Sequence, residues 1–278
     1  MSVSVPLPLR PLEIGDMLDE TFRMYRRHFL LLAGISVLLA VPSAALYGLA
    51  FAWFSVALRD TTSPDLSYLT PLIATAGAGF LVTLLILPFT NSAVMYAACE
   101  SALGRPVTLG GVFFGILRRY FPLLGYWLLF TITGGLAALL CLVPLVLWVW
   151  IFVGWIVVTP AMFIENVSLG AAMRRSWQLV RGRWWRTFLV LFLMLVIWYV
   201  ARLALDAFLQ LGQFLLVIVL SPFIVAGVTL ASAELVSALV SPILQIIIVL
   251  IYFDLRVRRE ALDLFQMAYR LAAPAPAS

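Results

Sequence analysis

The sequence predicts an all-α integral membrane protein of six transmembrane helices, arranged as three pseudo-repeats of an amphipathic interfacial helix followed by a helical hairpin. Three observations lead there. Hydrophobic residues make up 64% of the 278 positions and charged residues 11%, against about 45–50% and about 25% in soluble globular domains. The apolar residues gather into runs near or beyond the roughly 20 residues that cross a ~30 Å hydrocarbon core. The basic residues, all of them arginine, sit at the ends of those runs, where they set orientation.

The chain opens with an amphipathic helix. Ile14, Leu18, Phe22, Tyr25 and Phe29 share one face, and Glu13, Asp16, Asp19, Glu20, Arg23, Arg26 and Arg27 the other, the pattern of a helix lying in the headgroup plane. Its acids precede its bases, which suits the helix dipole, and Asp19 can pair with Arg23 at i,i+4. No cleaved leader is expected, because the first apolar run continues past the length of a signal-peptide core.

Apolar segments then run near 29–54, 71–99, 121–140, 144–164, 187–206 and 234–253. The stretch from Phe214 to Leu230 is apolar as well; it is either a full span or an outer-leaflet or re-entrant element. Six spans leave only Arg59 and Arg202, of 18 basic residues, opposite the rest. That asymmetry favours six spans with both termini in the cytoplasm of a cell in whose inner membrane the chain resides. Cys99 and Cys141 then fall on opposite sides of the membrane, so no disulfide joins them.

The repeats are expected at about 12–103, 107–166 and 167–256, within one polytopic membrane domain, 1–270, and a disordered tail, 271–278. Their openings are Leu12, Glu13, Ile14, Gly15; Val107, Thr108, Leu109, Gly110; and Val167, Ser168, Leu169, Gly170. Thr108 and Ser168 are suited to cap their helices through the side-chain hydroxyl, with Glu13 a weaker cap. In the third, Leu169, Met173, Trp177 and Val180 oppose Arg174, Arg175, Gln178 and Arg181. Pro88, Asn91 and Glu100 have the mutual spacing of Pro242, Gln245 and Asp254, whereas the middle copy keeps the acid, Glu165, with Val153 and Ile156 in the other places.

The stretches Gly15 to Arg27 (GDMLDETFRMYRR), Arg174 to Arg186 (RRSWQLVRGRWWR) and Tyr252 to Asp263 (YFDLRVRREALD) resemble the bacterial membrane-domain family named after glycerophosphoryl diester phosphodiesterase. The resemblance implies a six-helix membrane domain. Members of the family that hydrolyse glycerophosphodiesters carry a separate soluble catalytic domain with His and acidic metal ligands, which a chain with His28 as its one histidine does not supply.

Catalytic chemistry is not expected from the residues either. There is no phosphate-binding loop, nucleophile elbow, zinc motif or dinucleotide fingerprint; Gly77 and Gly79 suit helix packing, and no cofactor or metal is implied. The net charge of +5 comes from span-end arginines, which argues against nucleic acid. Glu100, Glu165 and Asp254 are expected at the inner interface as salt-bridge partners of arginines or as a ring of acids around a vestibule. Asn91 and Gln245 are expected near mid-membrane as interhelical amides. Arg202 and Asp206, one turn apart near the outer end of the fifth span, and Glu234, expected to begin the sixth, form a candidate polar group.

Two functions follow. Arg174, Arg175, Arg181, Arg183 and Arg186 interleave with Trp177, Trp184 and Trp185, which suits docking of anionic lipid headgroups or a membrane-protein partner and points to a scaffold or accessory subunit. The alternative is a small transporter using Arg202, Asp206 and Glu234, favoured by pseudo-symmetric repeats with proline-interrupted spans.

Overall fold

The structure, a computed structural model, describes residues 11–57, 69–140, 142–216 and 222–260. Among them are eleven helices: α1 Ile14–Arg27, α2 Phe29–Ala57, α3 Leu69–Ala102, α4 Leu109–Leu117, α5 Tyr120–Leu139, α6 Leu142–Gly154, α7 Val158–Ile164, α8 Leu169–Val180, α9 Trp184–Leu216, α10 Pro222–Val240 and α11 Pro242–Glu260. Six stretches are long and apolar enough to cross a membrane: Phe29–Ala50, Gly77–Ala102, Tyr120–Leu139, Val143–Ile164, Trp184–Phe214 and Gly227–Glu260. The protein is therefore an all-α, multi-pass membrane protein.

Several boundaries differ from the expected ones. α9 runs past Asp206 to Leu216, and α10 starts at Pro222, where a proline costs no intrahelical bond. The two ends of Phe214 to Leu230 thus belong to the fifth and sixth membrane helices, while 217–221 lie outside the described residues. Glu234 is accordingly inside α10 and does not begin the span. The fourth span is broken at residues 155–157, between α6 and α7. Pro160, which has no N–H to donate back to Ile156, is accommodated in the first turn of α7.

The two predicted hydroxyl caps behave differently. Thr108 Oγ1 accepts the Gly111 N–H at 3.2 Å, whereas the Ser168 side chain makes no capping bond. Arg23 pairs with Glu20 at 3.1 Å, one turn of i,i+3, and not with Asp19. The buried face of α1 is Met17, Thr21 and Met24, offset from the expected stripe, of which Phe29 is 40% exposed. Where lipid is the solvent, large apolar side chains lose nothing by facing outward, and close fit decides which stripe meets protein.

The described residues divide into two compact units. One draws on Met1–Arg27, Met95–Met194 and Leu244–Ser278. Its core joins Ile116, Val157, Val158, Ala161, Leu179, Ile246 and Leu250, all fully buried. Cys99 is buried here as a free thiol, and Cys141 lies outside the described residues. The other unit draws on His28–Val94 and Leu195–Ile243. There α2 and α10 approach so closely that a Cβ on Gly227 would stand 3.3 Å from Gly48 O, the small-residue packing that lets membrane helices touch backbone to backbone. Gly79 likewise packs on Tyr47, 3.4 Å from where its Cβ would be, but Gly77 meets nothing within 4 Å, so only one of that pair is a packing glycine.

Candidate functional site

In the first unit the arginine-rich helix ends converge on acids. Glu165 caps the C-terminus of α7, and Asn166 beyond it takes a left-handed φ of 55°, a conformation that asparagine tolerates at a helix end. The turn aims the Glu165 carboxylate at α8, where Arg175 Nε donates to both oxygens at 2.9 and 3.0 Å. Tyr252 Oη donates to the same carboxylate at 2.8 Å. Arg175 also pairs with Glu260, which accepts from Arg256 Nε at 3.0 Å one turn back on α11. Burial acts to lower the Arg175 pKa, but the hydrogen bonds to Glu165 and Glu260 outweigh it and hold the guanidinium above its usual value.

Asp254 organises a second cluster. Its carboxylate is 3% exposed and accepts from Arg258 Nε at 2.8 Å, from Arg186 Nη2 at 3.4 Å and from the Leu12 N–H at 3.0 Å. The Leu12 carbonyl in turn accepts from Arg186 and Arg258 at 2.6 and 2.7 Å. Glu100 has a separate, local pair with Arg105 at 3.4 Å. Of the three acids, Glu165 and Asp254 are thus engaged across elements, each by its own arginines.

The α8–α9 connection carries the remaining arginines. Arg181 (φ −55°, ψ 125°) and Gly182 (φ 87°), with the Arg183 N–H donating to Val180 O at 2.9 Å, make a type II turn, whose third residue must take positive φ. The turn leaves Arg181 exposed beside a cavity of about 130 Å³ lined by Trp150, Gly154, Trp177, Val180 and Trp184. Trp177 lies over Gly154, where any Cβ would overlap its ring, and Trp184 Nε1 donates to Trp150 O at 3.0 Å. Trp185 is 77% exposed. Arg174, Arg181 and Arg183 form no ion pair among the described residues, whereas Arg175 and Arg186 belong to the acid clusters.

In the second unit Arg202 pairs with Asp206 at 3.4 Å, donates to Ser237 Oγ at 3.3 Å and stands 5.7 Å from the Trp198 ring centroid. Glu234 is not joined to that pair. Its carboxylate faces Ser43 Oγ at 3.4 Å, on a cavity to which α3 contributes Asn91. Gln245 lies on α11. No group of three His, Cys, Asp or Glu suited to a metal occurs among the described residues.

Sequence reasoning did not single out Glu260, the Leu12 backbone, or Ser36, Ser43 and Thr83. Glu260 is in the exit motif, and its i,i+4 spacing from Arg256 is a usable signal. Isolated hydroxyls in apolar runs were the signal for the serines and threonine.

Residues 128–264 match the family model described as the membrane domain of glycerophosphoryl diester phosphodiesterase. The match takes in the central and exit motifs but not the entry stretch Gly15 to Arg27. No curated protein and no solved structure matches the chain.

Proposed function

From the match of residues 128–264 to the family model described as the membrane domain of glycerophosphoryl diester phosphodiesterase, we propose that this chain works as a non-catalytic membrane scaffold or accessory subunit that holds anionic lipid headgroups at its arginine-rich end. The observation that carries the proposal is the α8–α9 turn. Arg181 stands exposed beside a pocket walled by Trp150, Trp177 and Trp184, with Arg174 and Arg183 uncommitted to any acid among the described residues. Tryptophan suits the headgroup level, because its ring is apolar and its N–H polar. Each arginine near an anionic leaflet adds about 1 kcal/mol of attraction. The same reasoning puts the arginine-rich ends, and with them both termini, on the cytoplasmic side of the inner membrane.

The geometry changes which residues should be altered. Arg175 and Arg186 are structural partners of buried or half-buried acids, so their removal would test folding and not docking. The informative variant is Arg174→Ala/Arg181→Ala/Arg183→Ala, compared with the parent protein by mass spectrometry of lipids retained through purification from mixed phosphatidylglycerol and phosphatidylcholine membranes. Phosphatidylglycerol retention should fall at least about tenfold, three lost contacts of roughly 1 kcal/mol each being enough for that, while phosphatidylcholine retention stays level. Equal phosphatidylglycerol retention by the two proteins would rule the docking surface out.

A further inference from the structure

The second unit holds a small, partly open cavity among its membrane-spanning helices, its wall largely apolar (Ala40, Ile86, Leu87, Ala238) with a set of polar groups. It measures about 50 Å³ and is lined from α2 by Ser36 and Ser43, from α3 by Thr83, Thr90 and Asn91, and from α10 by Glu234. A single water needs about 10–15 Å³ on this measure, so the space admits a small ion with one or two waters. Pro42 in α2, Pro88 in α3 and Pro242 at the α10–α11 break fall beside these residues, and each lacks the N–H that would engage a carbonyl one turn back.

The lining presents lone pairs more than protons. A hydroxyl has one hydrogen to donate. Thr90 gives its hydrogen to Ile86 O at 3.0 Å, and Ser43 has Ala40 O at 2.9 Å, nearer than the Glu234 carboxylate at 3.4 Å. Ser36 is fully buried, and neither Ser36 Oγ nor Thr83 Oγ1 has a hydrogen-bond partner among the described residues. Such orphaned hydroxyls are costly in a buried setting and point to an occupant. Glu234 has no ion pair among the described residues. The charged side chains described in this unit apart from His28 are Arg202, Asp206 and Glu234, one guanidinium against two carboxylates, which leaves one negative charge in excess.

From this lining we infer that the cavity is a binding site for a small monovalent metal cation, held by the Glu234 carboxylate and the hydroxyl oxygens of Ser36, Ser43 and Thr83. Oxygen donors suit hard cations. One positive charge balances the excess carboxylate, whereas a divalent ion would leave a net charge at membrane depth, where charge is costly. Arg202 pairs with Asp206 and donates to Ser237 on the cavity wall, and forms no ion pair with Glu234 among the described residues. The site is in different residues from the tryptophan pocket and does not depend on lipid docking there.

The test uses the full chain in detergent, melted in sodium chloride and in choline chloride at equal ionic strength and pH. Sodium should raise the melting temperature saturably, by at least about 3 °C at concentrations well above the dissociation constant. The Glu234→Gln variant, which keeps the side-chain volume, should lose the sodium increment, and Ser36→Ala should raise the half-saturating sodium concentration several-fold. Retention of ²²Na⁺ by the unaltered protein provides a readout that needs no variant to fold. Identical melting in sodium and choline with no retained ²²Na⁺ would overturn the inference.

Discussion

Asp254 shows what one side chain does for the inner end of the first unit. Its buried carboxylate receives two guanidinium groups and the Leu12 N–H, and so ties the segment before α1 to α9 and α11. Asp254→Asn keeps the shape and removes the charge, which leaves Arg186 and Arg258 facing each other around a neutral amide. Breaking a buried pair by removing one partner costs about 3–5 kcal/mol. With both arginines partly solvated, at 26% and 21% exposure, about 3 kcal/mol of lost stability is expected, read as a lower melting temperature in detergent. An unchanged melt would mean that the cluster is no more than a loose surface pairing. The acid itself was legible in the sequence, since it stands among arginines at a span end. That its partners are Arg186 and Leu12 was not, because Leu12 and Asp254 are separated by 242 positions.

At the scale of the element, identical sequence signals met different fates. Thr108 and Ser168 hold equivalent places before α4 and α8, yet only Thr108 bonds its helix. Thr108→Ala should therefore destabilise the protein by about 1 kcal/mol, and Ser168→Ala should leave the melting temperature within error. Equal losses from the two substitutions would show that the hydroxyl caps both helices. The difference arises because α8 is already located by Ser176 Oγ, which donates to Gly154 O at 2.9 Å, and by the Arg175–Glu165 pair. α1 teaches the same lesson, as its buried stripe of Met17, Thr21 and Met24 is not its most hydrophobic one. Periodicity finds the apolar face of a helix, but in lipid that face need not be the one that meets protein.

For the whole molecule, six stretches are long and apolar enough to cross a membrane, and the proposed orientation, with both termini cytoplasmic, can be tested with reporters. A reporter active only after export should be active when inserted within 58–68 and inactive when joined after Ser278; the opposite result would invert the orientation and put the arginines outside. The membrane class and the six apolar spans were already legible in the sequence alone, because apolar length is a property of consecutive residues that lipid and water read directly. Tertiary structure alone decided which arginines are held by acids and which remain beside the tryptophans, and it alone brought Ser36, Thr83 and Glu234 to one cavity. Those outcomes depend on groups that meet only after helices distant in the chain have packed. Hydrophobicity, which drives insertion, carries no information about which polar groups will then face one another.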